Sequence, residues 1–160
     1  MTNMSSPDTA RLLFPRLAIV YARGEDTSYA LLRAGFGLII LTHGIPKMFG
    51  IPHGSMTDPL GGATRMLGTN LGLPFAPQLA LAITGLETIG AISLAAGLFT
   101  RVLAPIFAVQ MLIVCLALRA NFAWIDRGYE YPVVLGLIAL FITFRGGGIW
   151  SIDHWMKREP

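Results

Sequence analysis

Four apolar stretches divide the chain, and glycine, proline and charged positions separate them. The first runs from about Tyr29 to Phe49, YALLRAGFGLIILTHGIPKMF. The second covers about Pro77 to Phe99, the third about Val102 to Ala120 and the fourth about Tyr129 to Phe144. Each passes the length test for a membrane helix, about 17–25 predominantly apolar residues. The fourth is the shortest, with Gly146 to Trp150 available to extend it. Only Thr100 and Arg101 separate the second from the third, so these two are expected to be antiparallel neighbours. The pattern predicts an all-α fold, an integral membrane up-down-up-down four-helix bundle over residues 29–150. Residues 1–28 form a basic N-terminal segment and residues 151–160 a tail, with no repeats and no second domain.

The flanking and connecting segments carry their own periodicity. In RLLFPRLAIVYAR, residues 11–23, Leu13, Leu17 and Val20 share one helical face, and Arg16 and Arg23 share another. Such a segment lies on a negatively charged leaflet, or else is an unstructured basic tail. It lacks the unbroken apolar core and small-residue cleavage site of a signal peptide. The loop from Gly50 to Phe75 is rich in Gly and Pro. Within it, Asp58 to Asn70 predicts a short helix lying in the outer interface, with Asp58 as cap and Pro59 at the first helical position.

Composition explains why lipid is the expected solvent. Hydrophobic residues make up 54% of the 160 and charged residues 13%, against about 25% charged in typical globular chains. So little charge cannot solvate a compact soluble surface of this size. The net charge of +3 belongs to ends and loops. It is a topology signal and gives no case for nucleic acid. Arg11, Arg16, Arg23, Arg33, Arg101, Arg145, Lys157 and Arg158 fall on one side, and Lys47, Arg65, Arg119 and Arg127 on the other. Excess Lys and Arg mark the cytoplasmic side, so both termini are expected there. The single cysteine, Cys115, excludes a disulfide framework, a CxxC redox pair and a multi-cysteine metal site. It reads as a small buried apolar residue. His43, His53 and His154 are too far apart to form a metal-ligand pair at helical spacing, and no metal is expected. His53 has no evident role. Trp124, Tyr129 and Tyr131 suit interface anchoring, and His154 and Trp155 are expected at the inner interface.

Glu87 is the chemical anomaly, the one charge in QLALAITGLETIGAISLAAGLF. A charge at the centre of a membrane helix costs about 2.5–3.5 kcal/mol on insertion scales. Glu87 must therefore be protonated or paired with a cation. Assigning depth along the four spans places His43, Lys47, Glu87, Arg119, Asn121, Tyr129 and Glu130 in the outer half, with Gln110 midway along the third. These groups are expected to converge on the bundle interior. Two readings of Glu87 stand side by side: a structural ion pair, and a ligand or proton site. Small residues at Gly35 to Gly37 and Gly44, and at Thr84, Thr88, Ala91 and Ala95, would let the first two helices approach closely.

Several segments resemble one family. LLRAGFGLIILTHGIPKMFG is similar to the opening helix of DoxX-type membrane proteins, and GLETIGAISLAAGLFTR to their second. RGYEYPVVLGLIAL resembles their fourth helix, and GGGIWSID their closing segment. The resemblance implies a four-helix membrane protein of the bacterial or archaeal cytoplasmic membrane. Members are commonly labelled oxidoreductases, and some are associated with thiosulfate:quinone oxidoreductase or with a membrane complex protecting against oxidative and thiol stress. The family-like positions are Arg33, His43, Lys47, Glu87, Arg101, Tyr129, Glu130 and Asp153.

The residues and the resemblance together support two functional expectations. In the first, the protein is a quinone-linked oxidoreductase or the quinone-binding subunit of one. Glu87 and His43 are its catalytic groups, exchanging protons with a quinone. Lys47, Arg119, Asn121, Tyr129 and Glu130 are its ligand-binding groups, with Lys47 or Arg119 stabilising developing negative charge. No flavin, haem or metal motif is visible, so electrons would come from a substrate or a partner redox protein. In the second, the protein is a non-catalytic accessory, assembly or ligand-binding membrane subunit. A small transporter fits less well, because four short helices without an internal repeat make a poor alternating-access machine.

Overall fold

Helix α1 (Ala18–Phe49) is 32 residues long, about 48 Å at 1.5 Å per residue. It begins eleven residues before the expected span, so the second half of the basic segment continues into the first apolar helix without a break. The computed structural model describes residues 13–52, 56–126 and 128–157. The basic positions Arg11, Arg127 and Arg158, the loop residue His53 and the Trp124 ring lie outside the described parts of the chain. Helix α1 stops at Gly50, whose φ of 63° lets its N–H turn back to the Pro46 carbonyl.

The described residues form helices and no β-strand. Helix α2 (Pro59–Arg65) starts as its sequence dictates. The Asp58 carboxylate accepts the Gly61 N–H at 2.8 Å, and Pro59 occupies the first helical position. A single π turn, Met66–Asn70, ends it. Helix α3 (Ala76–Ala96) carries a second π turn at its middle, Leu86–Gly90. Helix α4 spans Thr100–Ala117, α5 spans Glu130–Arg145 and a short α6 spans Ile152–Trp155. Three helices, α1, α3 and α4, are long and apolar enough to cross a membrane. Helix α5 has 16 residues and does not run on toward Trp150. It ends where Gly146 takes a φ of 77°.

Helices α1, α3, α4 and α5 share one core, in which Phe36, Ile40, Leu94, Phe107, Met111, Leu135 and Ile142 interlock. Phe36 and Phe107 meet edge to face at 5.6 Å. Helix α5 packs most extensively along α4, and α1 along α3. A smaller cluster of Leu67, Ala76 and Ala80 fastens α2 and its π turn to the start of α3.

The chain reverses between α3 and α4 with Gly97 and Phe99 both at positive φ. A bulky residue in this conformation costs on the order of 1–3 kcal/mol unless its surroundings hold it. Asp153 supplies the hold. Its carboxylate accepts the Phe99 and Thr100 N–H groups, each at 2.8 Å, and its own N–H reaches the Gly97 carbonyl at 3.0 Å. An anion at a helix start also meets the positive end of the α4 dipole. From the other side, buried Arg33 donates to the Gly147 carbonyl, and to the Trp150 carbonyl at 2.7 Å. The Tyr29 hydroxyl donates to the Gly146 carbonyl. The segment after α5 is thus tied to α1, α3 and α4. Arg145 completes this end with ion pairs to Glu25 at 2.9 Å and Asp26 at 3.4 Å. Both are partly exposed and so contribute little to stability.

Replacing Asp153 with Ala leaves two helix-start N–H groups without their acceptor. The expected loss is about 2–3 kcal/mol, read as a lower midpoint of thermal unfolding in mild detergent. An unchanged midpoint would show that the closing segment does not lock the turn.

Candidate functional site

Glycines set how near α1 and α3 can come. A Cβ at Gly37 would sit 2.6 Å from the Ala91 carbonyl oxygen and 2.8 Å from the Ala95 Cβ. A Cβ at Gly44 would run into the Glu87 backbone and the Thr88 methyl. The two glycines lie seven residues apart, on one face of α1, and their partners descend along α3 as α1 ascends. The helices are therefore antiparallel and in direct backbone contact. Lys47 stands one turn beyond Gly44, which brings its side chain beside Glu87.

The π turn brings Glu87 to meet it. Widening one turn by a residue shifts the helical phase of every later position in the helix. The Thr84 and Thr88 hydroxyls donate to the Ala80 and Thr84 carbonyls, each at 2.8 Å, and so satisfy themselves within the loosened helix. Glu87, Thr88 and Gly90 are all buried in this segment.

Glu87 and Lys47 form an ion pair with side chains 7% and 15% exposed. The Gln110 side-chain amide, from α4, donates to the second carboxylate oxygen at 2.6 Å. Three helices thus converge on one carboxylate, at mid-length of the apolar segment. A pair this dry is held by geometry and hydrogen bonds, because desolvation offsets much of the Coulomb attraction.

The cluster faces a cavity of about 660 Å³, within the roughly 300–1,000 Å³ typical of small-molecule sites. His43, Lys47, Glu87 and Gln110 give it one polar region. Ile40, Ile83, Met111, Ile113, Val114 and Leu135 give it apolar walls. Ile40, His43 and Lys47 succeed each other at helical spacing, so α1 contributes one continuous stripe. Asp58, Pro59, Gly62, Ala63, Arg65, Met66 and Leu67 bring α2 across another side, and Tyr131 and Pro132 bring the start of α5. Arg65 and Asp58 lie 3.7 Å apart at the exposed rim.

Of the residues singled out from the sequence, His43, Lys47 and Glu87 meet at this cavity. The expected convergence of the other four does not occur. Arg119 and Asn121 are exposed. The Asn121 amide donates to the Asp126 carbonyl at 3.0 Å, and its own carbonyl accepts the Tyr129 N–H at 3.1 Å. The Tyr129 ring packs against Phe122 at 5.2 Å. Tyr129 and Glu130 fall between the lining residues Gly128 and Tyr131 without lining the cavity themselves. The reason is local: α4 ends at Ala117, so Arg119 and Asn121 belong to a turn that folds on itself. Gln110 and Tyr131 are lining residues that the depth argument left out of the site. Gln110 was readable as the one amide side chain in the third apolar stretch. The contribution of α2 had no sequence signal beyond its cap. Among the described residues, no three His, Cys, Asp or Glu side chains gather as a metal set would.

The family profile of DoxX matches residues 28–120, from the first turns of the expected span to just beyond α4. The match takes in His43, Lys47, Glu87 and Gln110 and stops before α5. No curated protein and no solved structure matches the chain.

Replacing Glu87 with Ala strands the Lys47 ammonium, and the expected cost is about 3–5 kcal/mol. Replacing both, Glu87→Leu with Lys47→Met, is expected to restore the melting midpoint in detergent to near that of the unmodified protein. A single variant as stable as the parent would mean that the ammonium reaches other partners.

Proposed function

The chain belongs to the DoxX family, and we propose that this membrane protein binds a quinone-class ligand in the cavity beside Glu87, as a quinone-linked oxidoreductase or the quinone-binding subunit of one. The observation that carries the reading is the placement of the Lys47–Glu87–Gln110 cluster. It borders an otherwise apolar cavity of about 660 Å³. An ion pair serving only to fix helix register is better packed around than set against a space of this size. A ligand with a polar ring and an apolar tail matches both regions of the wall.

When bound, a quinone supplies two-electron, two-proton carrier chemistry. The chain's own groups bind, orient and move protons. Lys47 holds the Glu87 carboxylate in place and keeps further N–H donors for a head-group oxygen. Glu87 and His43 are the wall groups able to pass a proton to that oxygen. Helix α2 covers one side of the head-group region and limits water entry. Arg119, which the sequence offered as an alternative cation, is left to the exposed turn, so Lys47 takes that role. Electrons come from a substrate or a partner redox protein.

The reading also fixes a topology. Helix α5 is the fourth crossing, antiparallel to α4, with Tyr129 and Tyr131 at its interfacial end. The protein lies in a bacterial or archaeal cytoplasmic membrane with both termini inside, in keeping with the excess of basic residues at the Arg33 end. A second reading rests on a specific observation: Glu87 is already met by Lys47 and Gln110. In that case the cluster is a structural lock in an accessory or assembly subunit.

Purified protein in mild detergent is expected to retain quinone from the membrane and to bind added quinone. Glu87→Gln should weaken binding about tenfold while the protein stays folded. Full binding by the variant together with a large drop in melting temperature would favour the accessory reading. For topology, a fluorescent protein fused after residue 160 is expected to be bright and alkaline phosphatase fused there inactive. The opposite pair of results would overturn the orientation.

A further inference from the structure

One buried atom of the polar cluster lacks a partner among the described residues. The Gln110 side-chain nitrogen donates to Glu87, which fixes the orientation of the amide and turns its oxygen the other way. That oxygen, Oε1, is buried and accepts no hydrogen bond from them. Gln110 is 5% exposed, and its side chain forms part of the cavity wall. A buried acceptor left unpaired is unfavourable, and the penalty is relieved only by a donor. Near it, Glu87 adds more acceptor capacity: an ionised carboxylate offers about four lone-pair sites and no proton, and Lys47 and Gln110 occupy two of them. The deep side of the polar region is therefore short of donors and rich in acceptors.

We infer that the cavity discriminates between redox forms of its ligand, binding the hydroxyl-bearing hydroquinone in preference to the carbonyl-bearing quinone, with Gln110 Oε1 as the acceptor that reads the difference. This rests on the quinone-class reading of the cavity and specifies which form it takes. A quinone oxygen can only accept, so it leaves the Gln110 oxygen as it found it. A hydroquinone hydroxyl can donate to that oxygen and still accept from Lys47. The two forms share nearly the same size and tail, so apolar burial favours neither. What separates them is one hydrogen bond and the relief of one unpaired buried acceptor, worth about tenfold in affinity.

The experiment uses the full chain in lipid nanodiscs under anaerobic conditions. The probes are decylubiquinone, its chemically reduced hydroquinone, and the dimethyl ether of that hydroquinone, which lacks both O–H groups. Affinities are read by titration calorimetry, with thermal melting as a check on folding. The hydroquinone is expected to bind about tenfold more tightly than the quinone, and the dimethyl ether no more tightly than the quinone. In Gln110→Met the ratio is expected to fall toward one. Equal affinity of the unmodified protein for quinone and hydroquinone would overturn the discrimination and leave the quinone-class site standing. A dimethyl ether that binds as tightly as the hydroquinone would overturn the hydrogen-bond basis. A ratio unchanged in a folded Gln110→Met protein would overturn the role of Gln110. Binding of none of the three probes would overturn the quinone-class reading itself. If Gln110→Met does not fold, the three probes on the unmodified protein decide the question.

Discussion

A carboxylate placed halfway along an apolar helix must be met by a cation and by donors, or the helix does not remain in lipid with its charge intact. Much of the architecture around Glu87 stems from that requirement. The cation must come from another helix, since α3 has none. The helix that supplies it must lie close enough for a lysine to reach. Gly37 and Gly44 make that approach possible by removing side chains where α1 touches α3. Gln110 then fixes α4 against the same carboxylate. One electrostatic demand thereby sets the relative placement of three helices, and the cavity is the space left beside them.

The two ends of the molecule solve different problems with similar materials. At the Arg33 end, a buried guanidinium, a tyrosine hydroxyl and the Asp153 carboxylate all bind backbone groups. They hold the α3–α4 turn and the segment after α5, and that polar capacity goes into connections. At the Lys47 end, side chains bind side chains, and they border a cavity rather than a packed turn. This contrast argues that the first end maintains the fold and the second serves a ligand, although both present charged residues in an apolar setting.

Much of this was legible in the sequence, for identifiable reasons. Apolar run length revealed α1, α3, α4 and α5, because lipid imposes a minimum length on every apolar stretch that spans it. The Asp58–Pro59 start of α2 was readable because capping chemistry is local. Glu87 with Lys47 and His43 could be inferred because charge in lipid demands company. The rest depended on information that depth along a span does not carry. Arg119 and Asn121 share a level with the cluster but face outward from a turn, and depth says nothing about azimuth. The joining of residues 18–28 to α1 went unseen because basic residues there look like a boundary, whereas the helix passes through it. The part played by Asp153 emerged only in three dimensions, since its partners Phe99 and Thr100 lie more than fifty positions earlier.

The widened turn at Leu86–Gly90 divides α3 into two functional halves. Before it, Ala76 and Ala80 serve the small cluster under α2; after it, Ala91 and Leu94 serve the main core. Each residue of an α-helix advances the azimuth by about 100°, so removing one residue between 86 and 90 would re-aim everything downstream by more than a quarter of a revolution. The alanines that now lie against Gly37 would swing toward acyl chains, and larger aliphatic side chains would arrive where no room exists for them. Among descendants of this gene, insertions and deletions should consequently be scarcer in this five-residue window than anywhere else along the span. Its length, more than the identity of most letters in it, is the inherited quantity.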